Sequence, residues 1–280
     1  MIPAPFAYLR PTTMAEAIAA LAADADAKVL AGGHSLIPAM KLRLAQPQTL
    51  IDLGRLTDVN YIREQHGKIV IGAMTTHHDI EASALLREKC PLLPEVAAQI
   101  GDVQVRNRGT IGGSVVHADP AADWPAAILA LDAEMEVVGP EKSRVIPAKK
   151  FFVDLFQTAL QPNEILREIR FPTTARSVAY LKSFQRASGF AIAGAAVVVN
   201  AANQTVSVGI TGVAAKAYRA NAVESKLQSQ PLTPENIADA ASKAANRIEP
   251  LSDIHASAEF RAHLAKVNTR RALELAVSRT

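Results

Sequence analysis

Cysteine is almost absent from this chain, since Cys90 is the single cysteine among 280 residues. One thiol cannot form an internal disulfide framework, a four-thiolate zinc site or an iron–sulfur cluster. Disulfide-stapled folds are therefore excluded, and a reducing, cytoplasmic setting is expected. Cys90 precedes Pro91 at a helix break and has no evident paired base, so we expect an inert thiol rather than a nucleophile.

An excess of charge and long apolar runs are also missing. The chain has 30 basic and 27 acidic residues, and its densest basic spot, Arg106-Asn107-Arg108, lacks interleaved aromatic residues. Nucleic acid is therefore not an expected partner. The longest uncharged apolar stretch lies near 190–199 and is shorter than the ~18 residues of a spanning helix. No basic segment followed by an apolar run opens the chain, so neither a membrane span nor a signal peptide is expected.

The length and composition are those of a globular protein, and a change of periodicity divides the chain into two domains. At about 150 residues per domain, the chain has room for one to three domains. The periodicity changes at Pro172-Thr173-Thr174, which we take as a boundary. This gives a first domain at 1–174, with lobes at about 1–55 and 56–174, and a second domain at 175–280.

The region after the boundary shows strands first and helices afterwards. Alternating apolar residues predict strands at Val178–Phe184, Ala191–Asn200 and 205–213, arranged antiparallel. Two helices follow, one opening at Thr233-Pro234 and the other running over about 258–277. Strands followed by helices are typical of an α+β fold. In the first domain, Gly139-Pro140 predicts a hairpin turn between two strands.

Two double-glycine loops, about 80 residues apart, are the most informative motifs. The first is Ala31-Gly32-Gly33-His34-Ser35, and the second is Thr110-Ile111-Gly112-Gly113-Ser114. Glycine lets backbone N–H groups approach a phosphate and permits positive φ. One such loop alone more often forms a simple turn, but two loops could hold the two phosphates of a dinucleotide. Neither is a G-x-G-x-x-G fingerprint or a Walker A loop, so a dinucleotide would be bound by another architecture.

The residues around both loops resemble those of a known family. Ala-Gly-Gly-His-Ser-Leu-Ile-Pro at 31–38, and Thr-Ile-Gly-Gly-Ser at 110–114 followed by Ala-Asp-Pro-Ala-Ala-Asp-Trp-Pro at 118–125, are similar to the two FAD loops of the medium, flavin-binding subunits of molybdenum hydroxylases. This is the xanthine dehydrogenase and carbon monoxide dehydrogenase family. Met1-Ile2-Pro3 and residues 252–257 resemble the beginning and the C-terminal domain of those subunits, so the resemblance covers nearly the whole chain.

The resemblance implies a fold of the α+β class. A two-lobed vanillyl-alcohol-oxidase-like (PCMH-type) FAD-binding domain would be followed by a carbon-monoxide-dehydrogenase-flavoprotein-like C-terminal domain, with a three-stranded antiparallel sheet and helices. FAD would lie extended between the lobes and domains, with its pyrophosphate on the backbone amides of Gly32 to Ser35 and on the 110–114 loop. Asp123 would bind the adenosine ribose, Ile100 and Leu166 would lie beside the cofactor, and Lys182 would lie near the polar edge of the flavin. The full set of cofactor-binding residues implied is Ala31, Gly32, Gly33, His34, Ser35, Leu36, Ile100, Thr110, Ile111, Gly112, Gly113, Ser114, His117, Asp123, Leu166, Lys182 and Phe190.

The sequence departs from the family pattern at two places. Many relatives have Asn where this chain has Ser114, and we expect the serine hydroxyl to preserve FAD binding. Carbon monoxide dehydrogenase flavoproteins carry Asp-Tyr where this chain has Gly189-Phe190. Phe190 can still cover the flavin ring, but it offers no hydroxyl group, which changes the tuning of the flavin.

The resemblance further implies a function that is shared with partner chains. The chain would be the FAD-binding electron-transfer subunit of a heterotrimeric molybdenum hydroxylase, assembled as a dimer of heterotrimers. A large subunit would carry the molybdenum cofactor, and a small subunit would carry two [2Fe–2S] clusters. We expect no catalytic and no metal-ligating residue on this chain, and the substrate and final acceptor stay open. The alternatives are a self-contained FAD-dependent oxidase or reductase and a nucleotide-binding scaffold without redox activity.

Several histidines and the single tryptophan can have a structural role rather than a functional one. His77-His78 is not expected to bind a metal, because adjacent residues on a helix point about 100° apart. The backbone of His34 is expected to matter more than its imidazole. His117 either approaches the cofactor or caps a helix, and Trp124 is expected to pack in the core.

Overall fold

The computed structural model describes residues 1–175, 177–200 and 203–279. The strands are β1 (Ala7–Leu9), β2 (Lys28–Leu30), β3 (Thr49–Asp52), β4 (Ile62–Gln65), β5 (Lys68–Gly72), β6 (Glu134–Val138), β7 (Ser143–Pro147), β8 (Phe152–Asp154), β9 (Gln157–Thr158), β10 (Ile165–Pro172), β11 (Val178–Phe184), β12 (Ala191–Asn200), β13 (Thr205–Thr211) and β14 (Tyr218–Arg219). The helices are α1 (Met14–Ala23), α2 (Leu36–Lys41), α3 (His77–Ala82), α4 (Ala84–Lys89), α5 (Leu92–Ala97), α6 (Val103–Arg106), α7 (Ile111–His117), α8 (Trp124–Ala130), α9 (Ala148–Phe151), α10 (Asn221–Leu227), α11 (Pro234–Ala241) and α12 (Ala258–Ser278). Within the described residues, no helix combines the length and apolarity needed to cross a membrane.

A small parallel sheet in the order β1-β3-β2, covered by α1, forms the N-terminal lobe. Helix α1 begins where the sequence predicts, because the Thr13 side chain accepts from the Glu16 amide at 3.2 Å. The Glu16 carboxylate accepts from the Thr12 amide, one residue before the cap. Ile18 and Ile51 belong to the apolar core of this lobe.

A five-stranded antiparallel sheet in the order β4-β5-β10-β6-β7 forms the second lobe. The predicted hairpin turns at Gly139, whose amide donates to the carbonyl oxygen of Lys142 at 3.0 Å. The core of this lobe also includes residues of α3, α4, α5, α7 and α8. Cys90 is fully buried there, and burial raises the pKa of its thiol to about 12. The thiol is therefore protonated at neutral pH, and solvent does not reach it.

The C-terminal region is a four-stranded antiparallel sheet, β11-β12-β13-β14, with helices packed on it. The three predicted strands are β11, β12 and β13. The short strand β14 extends the sheet beyond three strands, and the sequence did not predict it because two residues carry no periodicity. Helices α11 and α12 are those predicted, and Thr233 caps α11 by accepting from the Asn236 amide at 3.3 Å. Helix α10 was not predicted.

The segment before α8 joins the two regions. The hydroxyl of Thr211, on β13, donates to the carbonyl oxygens of Pro120 and Ala122 at 2.8 and 2.6 Å. The Ala191 amide on β12 donates to the carbonyl oxygen of Ala121 at 3.1 Å. These bonds fix the N-terminus of α8 against the ends of β12 and β13.

Candidate cofactor site

The structure brings the two glycine loops into contact. The first loop joins β2 to α2, and the second opens α7. A Cβ atom on Gly32 would lie 2.3 Å from the carbonyl oxygen of Arg108 and 2.7 Å from the Cα of Gly109. A Cβ atom on Gly113 would lie 3.3 Å from the Cβ of Ala31. Glycine at position 32 is therefore required for this close approach of two backbones.

The first loop presents unpaired backbone N–H groups. None of the residues that the structure describes accepts a hydrogen bond from the amides of Gly32, Gly33, His34 or Ser35. Gly33 has a φ of +79°, which turns the chain into this arrangement. The His34 imidazole donates from Nδ1 to the carbonyl oxygen of Gly32 at 3.0 Å, so its ring is engaged with its own loop. A run of unpaired amides fits the negative oxygens of a pyrophosphate.

The second loop is different, because four of its five amides are already used inside the protein. The N–H groups of residues 111–114 donate to backbone oxygens of Ala73, Thr75 and Thr110 and to the Thr110 hydroxyl, over 2.9–3.1 Å. The resemblance implied that this loop binds pyrophosphate, and the N–H groups of 111–114 are not free for that contact. What this loop offers instead is the half-buried hydroxyl of Ser114, which has no hydrogen-bond partner among the described residues.

Asp123 and Lys182, to which the resemblance gave separate roles, form a buried ion pair. Lys182 Nζ lies 3.0 Å from Asp123 Oδ2, and their side chains are only 3% and 6% exposed. Lys182 also donates to the carbonyl oxygens of Gln99 and Gly189, each at 2.7 Å. All three N–H donors of the ammonium are thus engaged. The pair connects the second lobe to the C-terminal sheet.

Tyr180 completes this cluster and was missed by the sequence analysis. Its hydroxyl donates to Asp123 Oδ1. Burial raises the pKa of Asp123, while Lys182 and Tyr180 oppose that rise. Burial also raises the pKa of Tyr180 well above its usual value, so the hydroxyl stays protonated. Alternation along β11 places residues 180 and 182 on the same face, which is the signal that could have found Tyr180.

The remaining predicted residues fall into two groups. Leu166 is 3% exposed inside the core of the second lobe, and Ile100 packs against that core. Phe190 and His117 are exposed. The His117 ring lies 5.2 Å from the Phe156 ring, at the end of α7. Phe190 follows Gly189, whose φ is +74°, on the loop that Lys182 holds.

His77 and His78 lie in different environments. His77 is 4% exposed and accepts from the indole N–H of Trp124 at 3.1 Å, whereas His78 is exposed. Trp124 is fully buried in the core, as predicted. Burial, followed by smaller effects of His34 and Arg106, lowers the pKa of His77 to about 4.

Removal of Asp123 should destabilise the fold strongly. Asp123→Ala leaves the Lys182 ammonium buried without its counter-ion, and we expect the free energy of unfolding to fall by about 3–5 kcal/mol in urea denaturation. Asp239→Ala is the control, because the Lys226–Asp239 pair is 41% and 58% exposed. That variant should unfold close to wild type. Equal stability of the two variants would contradict a structural role for the buried pair.

The depressed pKa of His77 should make the fold acid-sensitive. The unfolded chain takes up a proton at this residue below about pH 6.5, whereas the folded chain resists protonation until about pH 4. The free energy of unfolding should therefore fall by about 3 kcal/mol as the pH drops through this window. Urea denaturation at several pH values would measure this. His77→Asn should lose this part of the pH dependence, and an identical profile for both proteins would exclude His77 as its source.

Comparison with known proteins agrees with these features over nearly the whole chain. A family model described as the FAD binding domain in molybdopterin dehydrogenase matches residues 4–174. A second model, described as the CO dehydrogenase flavoprotein C-terminal domain, matches residues 178–276.

Individual relatives match from end to end. The chain is 41% identical to the carbon monoxide dehydrogenase medium chain of Hydrogenophaga pseudoflava, covering 100% of this chain and 99% of that protein. A solved structure of carbon monoxide dehydrogenase from Hydrogenophaga pseudoflava, lacking the Mo-pyranopterin moiety of its cofactor, superposes with a TM-score of 0.96 at 41% identity, covering 100% and 99% of the two chains. Quinoline 2-oxidoreductase from Pseudomonas putida 86 superposes with a TM-score of 0.94 at 31% identity and covers 99% of both chains. The expected fold class is thereby confirmed.

Proposed function

The chain belongs to the FAD-binding medium subunits of molybdenum hydroxylases of the carbon monoxide dehydrogenase and xanthine dehydrogenase type, and on this basis we propose how it works. Substrate is oxidised at a molybdenum cofactor on a large partner subunit. Electrons pass through two [2Fe–2S] clusters on a small partner subunit to the FAD on this chain, and from there to an external acceptor. FAD supplies the redox chemistry, and the residues of this chain bind and orient it.

The row of unpaired amides at Gly32–Ser35, where the two glycine loops meet, is the observation that carries the proposal. These four donors are consecutive in the loop, and two of them belong to glycines without side-chain bulk. They supply hydrogen bonds and positive potential for a pyrophosphate group. The single, buried Cys90 supports the same assignment, because a chain without spare thiolates takes its electrons from clusters held elsewhere.

The other site residues have more limited roles in this proposal. Ser114 supplies a hydroxyl from the second loop, and Asp123, which the resemblance assigns to the adenosine ribose, remains paired with Lys182. The Lys182 ammonium has no free N–H, and the Asp123 carboxylate balances its charge, so its role here is to hold the Gly189 carbonyl oxygen, and with it the loop that carries Phe190. Phe190 covers the ring from an exposed loop.

The remaining cofactor-binding residues are proposed as the resemblance implies them. They are Ala31, Leu36, Ile100, Thr110, Ile111, Gly112, Gly113, His117 and Leu166. No residue of this chain is assigned a catalytic or metal-binding role.

The partners and the cellular setting are also part of the proposal. The medium chains among the relatives imply a large and a small partner, and we propose a dimer of two such heterotrimers in the cytoplasm. The named relatives act on substrates as different as carbon monoxide and quinoline while keeping the same flavoprotein fold. This supports a site of substrate choice on another subunit.

Purification of the chain tests the proposal directly. A visible absorption spectrum should show a flavin, bound as one FAD per chain, and expression in the native host should yield two further subunits in the same complex. A purified protein that binds adenine nucleotides but no flavin would favour the non-redox scaffold. A flavoprotein that purifies without partners and oxidises substrate would favour the self-contained oxidase.

A further inference from the structure

A buried histidine lies against the second glycine loop and the N-terminus of α8. His77 is the first residue of α3, and its backbone N–H donates to the carbonyl oxygen of Gly109 at 3.0 Å. Nδ1 of its ring accepts from the indole N–H of Trp124 at 3.1 Å. An indole nitrogen can only donate, so Nδ1 carries no proton. The neutral ring therefore has its proton on Nε2.

The Nε2 atom lies beside Gly109, where the two loops meet. A Cβ atom on Gly109 would lie 2.8 Å from Nε2 of His77. The Cα of the same Gly109 is the atom that a Cβ on Gly32 would approach to 2.7 Å. Gly109 thus contacts both the first loop and the histidine ring. The ring therefore lies next to the contact between the two glycine loops. The unpaired amides of the first loop adjoin the same contact.

The Nε2–H group of His77 has no acceptor among the residues that the structure describes. In the described part of the chain, the fully buried side-chain polar atoms without a hydrogen-bond partner belong to Thr174, Arg261 and Thr269. Nε2 of His77 is not one of them, so this unpaired atom is not fully sealed, although the residue is only 4% exposed. An unpaired donor in a residue this buried costs stability unless a ligand or water satisfies it. A donor that is held in one tautomer beside the contact between the two loops is suited to an anionic ligand there.

We infer that His77 is a cofactor-binding residue whose Nε2–H donates to a pyrophosphate oxygen of the bound dinucleotide, and that Trp124 positions it by fixing the tautomer. The inference rests on the proposed function, since it names a further residue of the same site. It assigns the two ring nitrogens different tasks. Nδ1 holds the ring in place, and Nε2 contacts the cofactor.

Two substitutions separate these tasks. His77→Asn keeps an acceptor near the position of Nδ1 but removes the distal donor, whereas His77→Gln places an amide donor near the position of Nε2. We expect His77→Asn to weaken FAD binding at least tenfold in titrations followed by flavin fluorescence. His77→Gln should stay within threefold of wild type. The chain has one tryptophan, so its indole N–H resonance reports directly whether the Trp124 bond survives in each variant.

The wild-type protein gives a measurement that does not depend on the folding of any variant. In nitrogen-15 spectra of histidine-labelled protein, the buried ring should show the Nε2–H tautomer, and its Nε2–H resonance should move downfield when FAD is added. An Nδ1–H tautomer, an Nε2–H resonance that FAD does not move, or undiminished FAD affinity in His77→Asn would overturn the inference. A wild-type chain that binds no FAD would instead refute the proposed function itself.

Discussion

Gly33→Val is expected to abolish FAD binding while the rest of the chain stays folded. Gly33 has a φ of +79°, a conformation that a β-branched residue avoids. A Cβ atom there would also lie 3.1 Å from Cγ1 of Ile37 and 3.4 Å from Cδ1 of Leu30. The loop must leave its present conformation to relieve this strain, and the four unpaired amides then lose their present arrangement. Equilibrium dialysis with FAD should detect no stoichiometric binding.

Gly67→Val is the matched control for that loss. Gly67 has a φ of +71° and lies in the turn between β4 and β5, where an added Cβ atom would meet no other atom within 4 Å. The substitution carries a similar backbone strain of about 1–2 kcal/mol, but it is remote from the glycine loops. We expect a lower free energy of unfolding and unchanged FAD binding. Stoichiometric flavin in Gly33→Val would remove the first loop from the pyrophosphate site.

The isolated FAD-loaded chain is expected to show no substrate oxidation at all, although its flavin is chemically competent. Dithionite should bleach the flavin, and an added electron acceptor should restore its colour. Aldehydes, purines, N-heterocycles and carbon monoxide should leave the spectrum unchanged. The reason is that this chain has one sealed thiol and therefore no means of holding clusters that would relay electrons from a molybdenum site.

Addition of the two partner subunits should convert this inert behaviour into turnover. Substrate should then bleach the flavin, because the clusters supply the missing electron path. Addition of the large subunit without the small one is the control and should leave the flavin oxidised. Reduction of the flavin by substrate with this chain alone would replace the electron-transfer role with that of a self-contained flavoenzyme.

The sequence predicted those elements whose signals are local. Thr13 and Thr233 cap helices where their patterns begin, and Gly139 turns the hairpin between β6 and β7. The three long strands of the C-terminal sheet show apolar alternation or apolar runs between turn residues. The two residues of β14 are too few for a periodic pattern, and α10 lacks a side-chain cap, so neither was predicted.

The site was predicted less completely, because its decisive contacts join distant segments. The glycine loops were identifiable as a pair, and the structure brings them together. Nothing in the sequence showed that the amides of 111–114 would find acceptors at Ala73 and Thr75. Nor does local pattern reveal that Asp123 and Lys182 pair across the domains. Such partners are set by tertiary packing rather than by propensity.

The three hydrogen bonds of Lys182 also affect which substitutions are tolerated where the second lobe meets the C-terminal sheet. Two of its acceptors, at Gln99 and Gly189, are backbone carbonyl oxygens, so these bonds do not depend on the chemistry of the side chains at those positions. The departure of Gly189 from the Asp of carbon monoxide dehydrogenase flavoproteins is therefore neutral for this contact. Asp123 and Lys182 have no such freedom, and arginine is a poor replacement because its planar fork cannot reproduce three divergent N–H bonds. Across descendants of this chain, positions 123 and 182 should change together or not at all.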